Sequence, residues 1–162
     1  MGAGLVRFGI LTPDSESQPA GEPHKQSARD FRQNRYLQKR MRVLVIDDDD
    51  VAREMISQIL RDAGHEVFEL SSAMGATQAI FQHDVDAVVV DVMMPTMGGD
   101  KLAKMLRGSN KGERLWVVLV SSQNEAELRR LAVEAHADAT VSKHAIHSQL
   151  RDAMNRGAWR SP

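Results

Sequence analysis

The sequence contains no cysteine, and that absence excludes a disulfide framework, a thiolate zinc site and a cysteine nucleophile. It fits a reducing compartment. No apolar run approaches the roughly 20 residues that span a bilayer, and the N-terminus lacks the long apolar segment and small-residue cleavage pattern of a secretory signal. A cytoplasmic protein with no membrane contact is expected. Also missing is a basic excess on the larger part of the chain. Residues 41–162 carry fourteen Lys/Arg against eighteen Asp/Glu, a balance of −4, while residues 1–40 carry seven against four, a balance of +3. A nucleic-acid-binding module normally shows a basic excess, so no DNA-binding output domain is expected.

What is present suits one soluble domain: 162 residues, 42% hydrophobic and 27% charged, with room for a single core and some extra chain. Residues 12–27 are rich in Pro, Ser, Gln, Gly and Glu without an apolar period, which reads as disorder. Residues 29–40 interleave Phe31, Tyr36 and Leu37 with five basic residues, a solvated tail or a basic amphipathic helix. Residues 1–40 are therefore assigned as a disordered basic leader: a native tail, a start codon placed before Met41, or a vector-derived extension. Residues 41–158 are the folded domain and residues 159–162 a short tail.

From Arg42 onward β-rich runs alternate with segments of helical period. Val43–Ile46, Glu66–Leu70, Val88–Val90, Leu115–Val120 and Ala139–Ser142 read as strands. The first helix carries Met55, Ile56, Ile59, Leu60 and Ala63 and stops at Gly64. Ala76, Ala79 and Ile80 mark the second, with Ser71 and Ser72 as caps. Leu102, Met105 and Leu106 mark the third, which ends near Gly108. Leu128, Leu131, Ala132 and Ala135 mark the fourth, and Ile146, Leu150, Ala153 and Met154 the fifth. Five strands each followed by a helix call for right-handed crossovers and a doubly wound, mainly parallel α/β sheet covered on both faces.

The stretch from Asp86 to Gly99 focuses the functional reading. Three valines end on Asp91, and Pro95, Gly98 and Gly99 follow within a few residues. A strand apolar on both faces suits the middle of a parallel sheet, whose carboxyl ends gather ligands and chemistry. The alternation brings four strand ends to one crevice: Asp47 to Asp50, Asp91, Ser121 with Ser122, and Lys143. Carboxylates brought together repel, so Asp47, Asp48 and Asp91 should raise a pKa or bind a metal. All-oxygen ligands favour Mg²⁺ or Mn²⁺ over zinc. With Lys143 as a point charge and Ser121 as a hydroxyl donor, these are the parts that phosphoryl transfer to Asp91 needs. Each residue also has a plainer reading. Asp91 could begin a turn, the Asp run could favour a helix N-terminus, Ser121 could cap a helix, and Lys143 could lie on the surface. Their joint placement is what chance explains poorly.

The segments V-L-V-I-D-D-D-D-V-A-R, V-V-V-D-V-M-M-P-T-M-G-G, V-L-V-S-S and V-S-K resemble the signatures of response-regulator receiver domains over about residues 42–157. The resemblance implies a flavodoxin-like sheet of order 2-1-3-4-5 with five helices, in a stand-alone receiver without an output domain. It implies Asp91 as phosphoacceptor, with Ser121 and Lys143 completing the site. Asp48, Asp91 and the Met93 backbone carbonyl would hold the metal, and Asp47 would act through water. It further implies a histidine kinase or phosphotransfer protein as donor, and a downstream protein or a second copy of the chain as recipient. Such a chain is a switch, not an enzyme.

Three departures from the family pattern carry expectations. His144 follows the lysine where proline with a cis bond is usual; because cis costs a non-proline about 2.5–4 kcal/mol, a trans bond and a less firmly aimed Lys143 are expected. Thr140 stands where an aromatic is common, so the usual rotamer switch is absent. His136 occupies a position where a glycine commonly stops the helix, and there a left-handed backbone is costly. These departures motivate a second reading, a degenerate receiver acting as a phosphorylation-independent scaffold. A third, an aspartate-nucleophile phosphatase, would need an acid where Met93 stands. His144 and His147 are at helical spacing but lack further ligands, and they read as surface residues.

Overall fold

Short β-branched runs fit a pleated sheet and gain by burial on both faces, and the computed structural model, which describes residues 39–158, places all five in one sheet. The strands are β1 (Arg42–Ile46), β2 (Glu66–Leu70), β3 (Ala87–Asp91), β4 (Trp116–Ser121) and β5 (Ala139–Ser142). The helices are α1 (Asp50–Asp62), α2 (Ala76–Gln82), α3 (Gly99–Arg107), α4 (Glu125–Ala135) and α5 (Ile146–Ala158). Every strand pairing is parallel and the order is β2-β1-β3-β4-β5. The fold is the five-stranded, doubly wound sheet expected. Apart from Lys39 and Arg40, the leader assigned to residues 1–40 lies outside the described residues, as does the tail at 159–162. Among the described residues no helix is long and apolar enough to cross a membrane.

Alternate side chains leave each strand on opposite faces, and the two faces build two cores. Leu44, Ile46, Val88, Val90, Val117 and Leu119 pack with residues of α2, α3 and α4. Val43, Val45, Val89, Val118, Val120 and Val141 pack with α1 and α5. β3 is buried at all five positions. At about 1.5–3 kcal/mol for each fully buried aliphatic side chain, these central strands supply much of the driving force for folding. They also anchor the strand ends where the polar residues stand.

Helix ends follow local chemistry, with two corrections. Asp49 caps α1 by accepting from the N–H groups of Val51 and Ala52 at 2.9 and 3.2 Å, and Asn124 caps α4 through Glu127 N–H at 2.9 Å. Ser71 and Ser72 do not cap α2. The turn runs on to Gly75, whose φ of +84° is open to glycine and makes no side-chain cap. Met105, expected on the apolar face of α3, is 48% exposed; Leu102, Ala103 and Leu106 fill that face instead. α4 does end in a left-handed residue, His136, at φ 53° and ψ 38°.

Candidate functional site

The strand order reverses direction between β1 and β3, and the crevice at such a switch point is where open α/β sheets place their sites. Asp47 follows β1 directly. It is fully buried, its Oδ1 accepts from Asp49 N–H at 3.0 Å, and its backbone carbonyl accepts from Arg53 Nη1 at 2.8 Å. Asp91 ends β3 at 3% exposure, and its Oδ2 accepts from Met93 N–H at 2.9 Å. Asp48 is exposed at the rim. One carboxylate oxygen from each of Asp47, Asp48 and Asp91 lies within 4.8 Å of the others.

The cation comes from the far edge of the sheet. Lys143 opens a one-turn 3-10 segment, Lys143–Ala145, immediately after β5. Its Nζ lies 2.7 Å from Asp47 Oδ2 and 3.0 Å from Asp91 Oδ1. The Lys143–His144 bond is trans, as expected, since no cis peptide occurs among the described residues. The expectation of a poorly aimed lysine is corrected: Lys143 reaches both buried carboxylates. Ser142 Oγ accepts from His144 N–H at 3.3 Å, and Gln149 Oε1 accepts from Ser142 N–H at 3.1 Å. These bonds hold the turn that a proline would otherwise stiffen.

Burial pushes the Asp91 carboxyl above the usual carboxylate range, with the charge of Asp47 adding to the rise. The hydrogen bond and charge of Lys143 and the Met93 N–H only partly offset it. For Lys143 burial works downward, but hydrogen bonds and charge from Asp47 and Asp91 outweigh it and hold the ammonium above its ordinary value. The lysine is charged, and burial makes the Asp91 carboxyl harder to ionise than a free carboxyl.

Ser121 ends β4, fully buried and in register with Ser142 of β5. Among the described residues its Oγ meets only the N–H of Gln123, at 3.1 Å. It does not cap α4, a task that Asn124 performs. Met93 stands two residues beyond Asp91 with its side chain exposed. His144 and His147 are exposed and join no cluster of metal-ligating residues among those described.

Two contributors had no strong sequence signal. Gly99 lets α3 start against the end of β3: a Cβ there would lie 2.3 Å from the Asp91 carbonyl oxygen and 2.9 Å from Val90 Cγ2. Its place among other turn residues after β3 was the only hint. Gln123 lies across the mouth, with Nε2 3.0 Å from Met93 Sδ; a lone glutamine in a loop carries no signal.

The donor set fits a hard divalent cation. It is all oxygen and surplus in negative charge, and Asp47 Oδ2, shielded from solvent, has the Lys143 ammonium at 2.7 Å as its ion-pair partner. Asp47, Asp48 and Asp91 are the residues that could hold such an ion.

Residues 43–155 match the model of the response regulator receiver domain. The chain is 32% identical over 126 residues to the sensory/regulatory protein RpfC of Xanthomonas campestris, covering 76% of this chain and 17% of that protein. It is 32% identical over 119 residues to a gliding motility regulatory protein of Myxococcus xanthus, covering 73% and 15%. The chain thus spans less than a fifth of either relative. Among solved structures, the receiver domain of a Pseudomonas aeruginosa sensor histidine kinase, with a magnesium ion coordinated in its active-site cleft, superposes with a TM-score of 0.67 at 18% identity. That match covers 75% of this chain and 99% of that one. TrrA of Thermotoga maritima, in complex with Mg²⁺ and BeF, gives 0.63 at 23% identity over 72% and 98%. At these identities the structural likeness is one of fold.

Proposed function

The chain belongs to the response-regulator receiver family, and from that premise we propose that it is a phosphoryl-accepting switch in which Asp91 is the acceptor. The observation that carries this reading is the Lys143 ammonium, 2.7 Å from Asp47 and 3.0 Å from Asp91, in a crevice that has carboxylates to spare. An Asp91 oxygen attacks phosphorus on a phosphohistidine of a kinase or phosphotransfer protein. The O–P bond forms, the P–N bond breaks, and the imidazole leaves with the electron pair. Lys143 turns from the carboxylate to the phosphoryl oxygens, and Ser121 Oγ donates to one of them. Mg²⁺, held by Asp48, Asp91 and the Met93 carbonyl, would supply the remaining charge neutralisation on the phosphoryl group.

The product is a conformation. The phosphoryl group brings about −1.5 to −2 of charge, and Ser121, moving toward it, carries Gln123 and the start of α4. Moving a two-state equilibrium from 1:99 to 99:1 takes about 5.5 kcal/mol of differential stabilisation. The recipient surface then binds a partner protein or a second copy. Acetyl phosphate with Mg²⁺ should add one phosphate to the wild type and none to Asp91→Asn, by intact mass. An unchanged mass in the wild type, with no response of Ser121 and Asp91 amides to beryllofluoride and Mg²⁺, overturns the reading in favour of a scaffold.

A further inference from the structure

At the mouth of the site, two side chains that phosphoryl chemistry leaves unused touch each other. Met93 is 60% exposed, and its Sδ accepts from Gln123 Nε2 at 3.0 Å. Each residue is one hydrogen bond from the chemistry. Met93 N–H donates to Asp91 Oδ2 at 2.9 Å, and Gln123 N–H donates to Ser121 Oγ at 3.1 Å. The thioether–amide contact therefore closes a ring that joins the acceptor carboxylate to the hydroxyl across the crevice. Its weakest member is the sulfur. A thioether is a poor acceptor, and Gln123 Oε1 is shielded from solvent without a hydrogen bond among the described residues. The amide is left with one weak partner.

From this geometry we infer that Met93 is a redox modification site, whose oxidation by a peroxide tightens the bridge to Gln123 and slows phosphoryl acceptance at Asp91. The inference rests on the reading of Asp91 as phosphoacceptor. In the step, the Met93 sulfur lone pair attacks one peroxide oxygen and the O–O bond breaks. A sulfoxide forms, and the other oxygen leaves as water after proton transfer; sulfur is oxidised by two electrons and the peroxide reduced. The sulfoxide oxygen replaces a weak acceptor with a strong one. Gln123 is then anchored more firmly, and through its N–H so is Ser121 Oγ, the group that must move inward when Asp91 is phosphorylated.

Exposure and connectivity single out Met93. Met41, Met94 and Met154 are 1%, 8% and 0% exposed, shut away from an oxidant. Met74 and Met105 are 83% and 48% exposed, but no described hydrogen bond joins their sulfurs to a residue of the site. One net hydrogen bond, gained in the resting state and resisting the movement of Ser121, corresponds to about threefold to tenfold in rate.

The test uses the full chain, limited hydrogen peroxide, peptide mass mapping, and the rate of phosphorylation by acetyl phosphate with Mg²⁺. Met93 is expected to oxidise ahead of Met94. The wild-type rate should fall by about threefold to tenfold and recover after treatment with methionine sulfoxide reductases. In Met93→Leu and in Gln123→Ala, each compared with itself before and after peroxide, the two rates should agree. Oxidation of Met93 no faster than of Met94, or equal slowing in Met93→Leu, overturns the inference. If the reduced wild type accepts no phosphate, it is the reading of Asp91 that fails. The Gln123 side-chain amide resonances then decide the bridge: a shift on oxidation of Met93 supports it and an unchanged position refutes it.

Discussion

Removing the charge of Lys143 tests the electrostatics of the site without reference to any partner. In Lys143→Met the stem keeps most of its packing, but Asp47 and Asp91, 0% and 3% exposed at the side chain, face each other without the ammonium. At an effective dielectric constant of about 20, a unit pair near 3 Å is worth roughly 5–6 kcal/mol before desolvation is subtracted. Breaking one partner out of a buried pair costs roughly 3–5 kcal/mol. Lys143 keeps 18% of its side chain in solvent, so the lower end applies, about 3 kcal/mol. Urea unfolding followed by circular dichroism at pH 7 measures this directly. Two internal checks follow. Adding Asp91→Asn to Lys143→Met should restore more than about 1 kcal/mol, because it removes the surplus charge, and a double-mutant cycle reads that coupling. Mg²⁺ should stabilise the variant as a substitute cation, by about 2.7 kcal/mol at a hundred times its Kd. A Lys143→Met protein within about 0.5 kcal/mol of the wild type, the range of ordinary surface changes, together with additive behaviour in the cycle, would refute the argument that the lysine offsets two buried carboxylates.

Other outcomes follow from single positions. Burial lowers the pKa of His65, and its Nδ1 accepts from Met41 N–H at 3.3 Å, so the folded state prefers the neutral ring. The unfolded chain then binds more protons below its own pKa of about 6.5, and stability is complete above that pH and falls as pH drops through it. His65→Gln should flatten this part of the pH–stability curve, and an unchanged slope would sink the assignment. Gly99→Ala should cost more than about 2 kcal/mol by overpacking against the Asp91 backbone, and phosphorylation should slow as the end of β3 shifts; a thermal melt and an acetyl phosphate time course check both. His136→Gly should raise stability by roughly 0.5–1 kcal/mol, since φ 53° suits glycine; a loss in urea unfolding would show that the His136 side chain contributes more than the backbone strain costs.

The strands and helices were legible because their signals are local. Val88–Val90 is too short and too β-branched for anything but a buried strand, and its extension to Ala87 and Asp91 alters no topology. Where an element's start depended on turn geometry, the local signal failed: serine chemistry pointed to Ser71 and Ser72, whereas a left-handed φ at Gly75 sets the start of α2. Arg107 shows the same limit. No local pattern in the sequence marks it out. In the fold its guanidinium donates to the carbonyls of His136, Gly112 and Leu115 at 2.8, 2.6 and 2.7 Å and pairs with Asp138. It thus ties the end of α3 both to the loop at 112–115 and to the turn at 136–138, 29 and 31 residues further on at His136 and Asp138.

The sequence by itself determined which side chains stand at the carboxyl ends of the strands: Asp47 and Asp48 after β1, Asp91 at the end of β3, Ser121 at the end of β4 and Lys143 after β5. Short, continuous apolar runs that end on polar residues, each followed by a segment of helical period, dictate that much. Only the tertiary structure decided how these groups meet. That the Lys143 ammonium, carried on a trans turn, bridges Asp47 and Asp91, and that Met93 touches Gln123 across the mouth, depends on parallel strands packed side by side. Those contacts join residues tens of positions apart, and their distances follow from the packing of both cores, which no local pattern encodes.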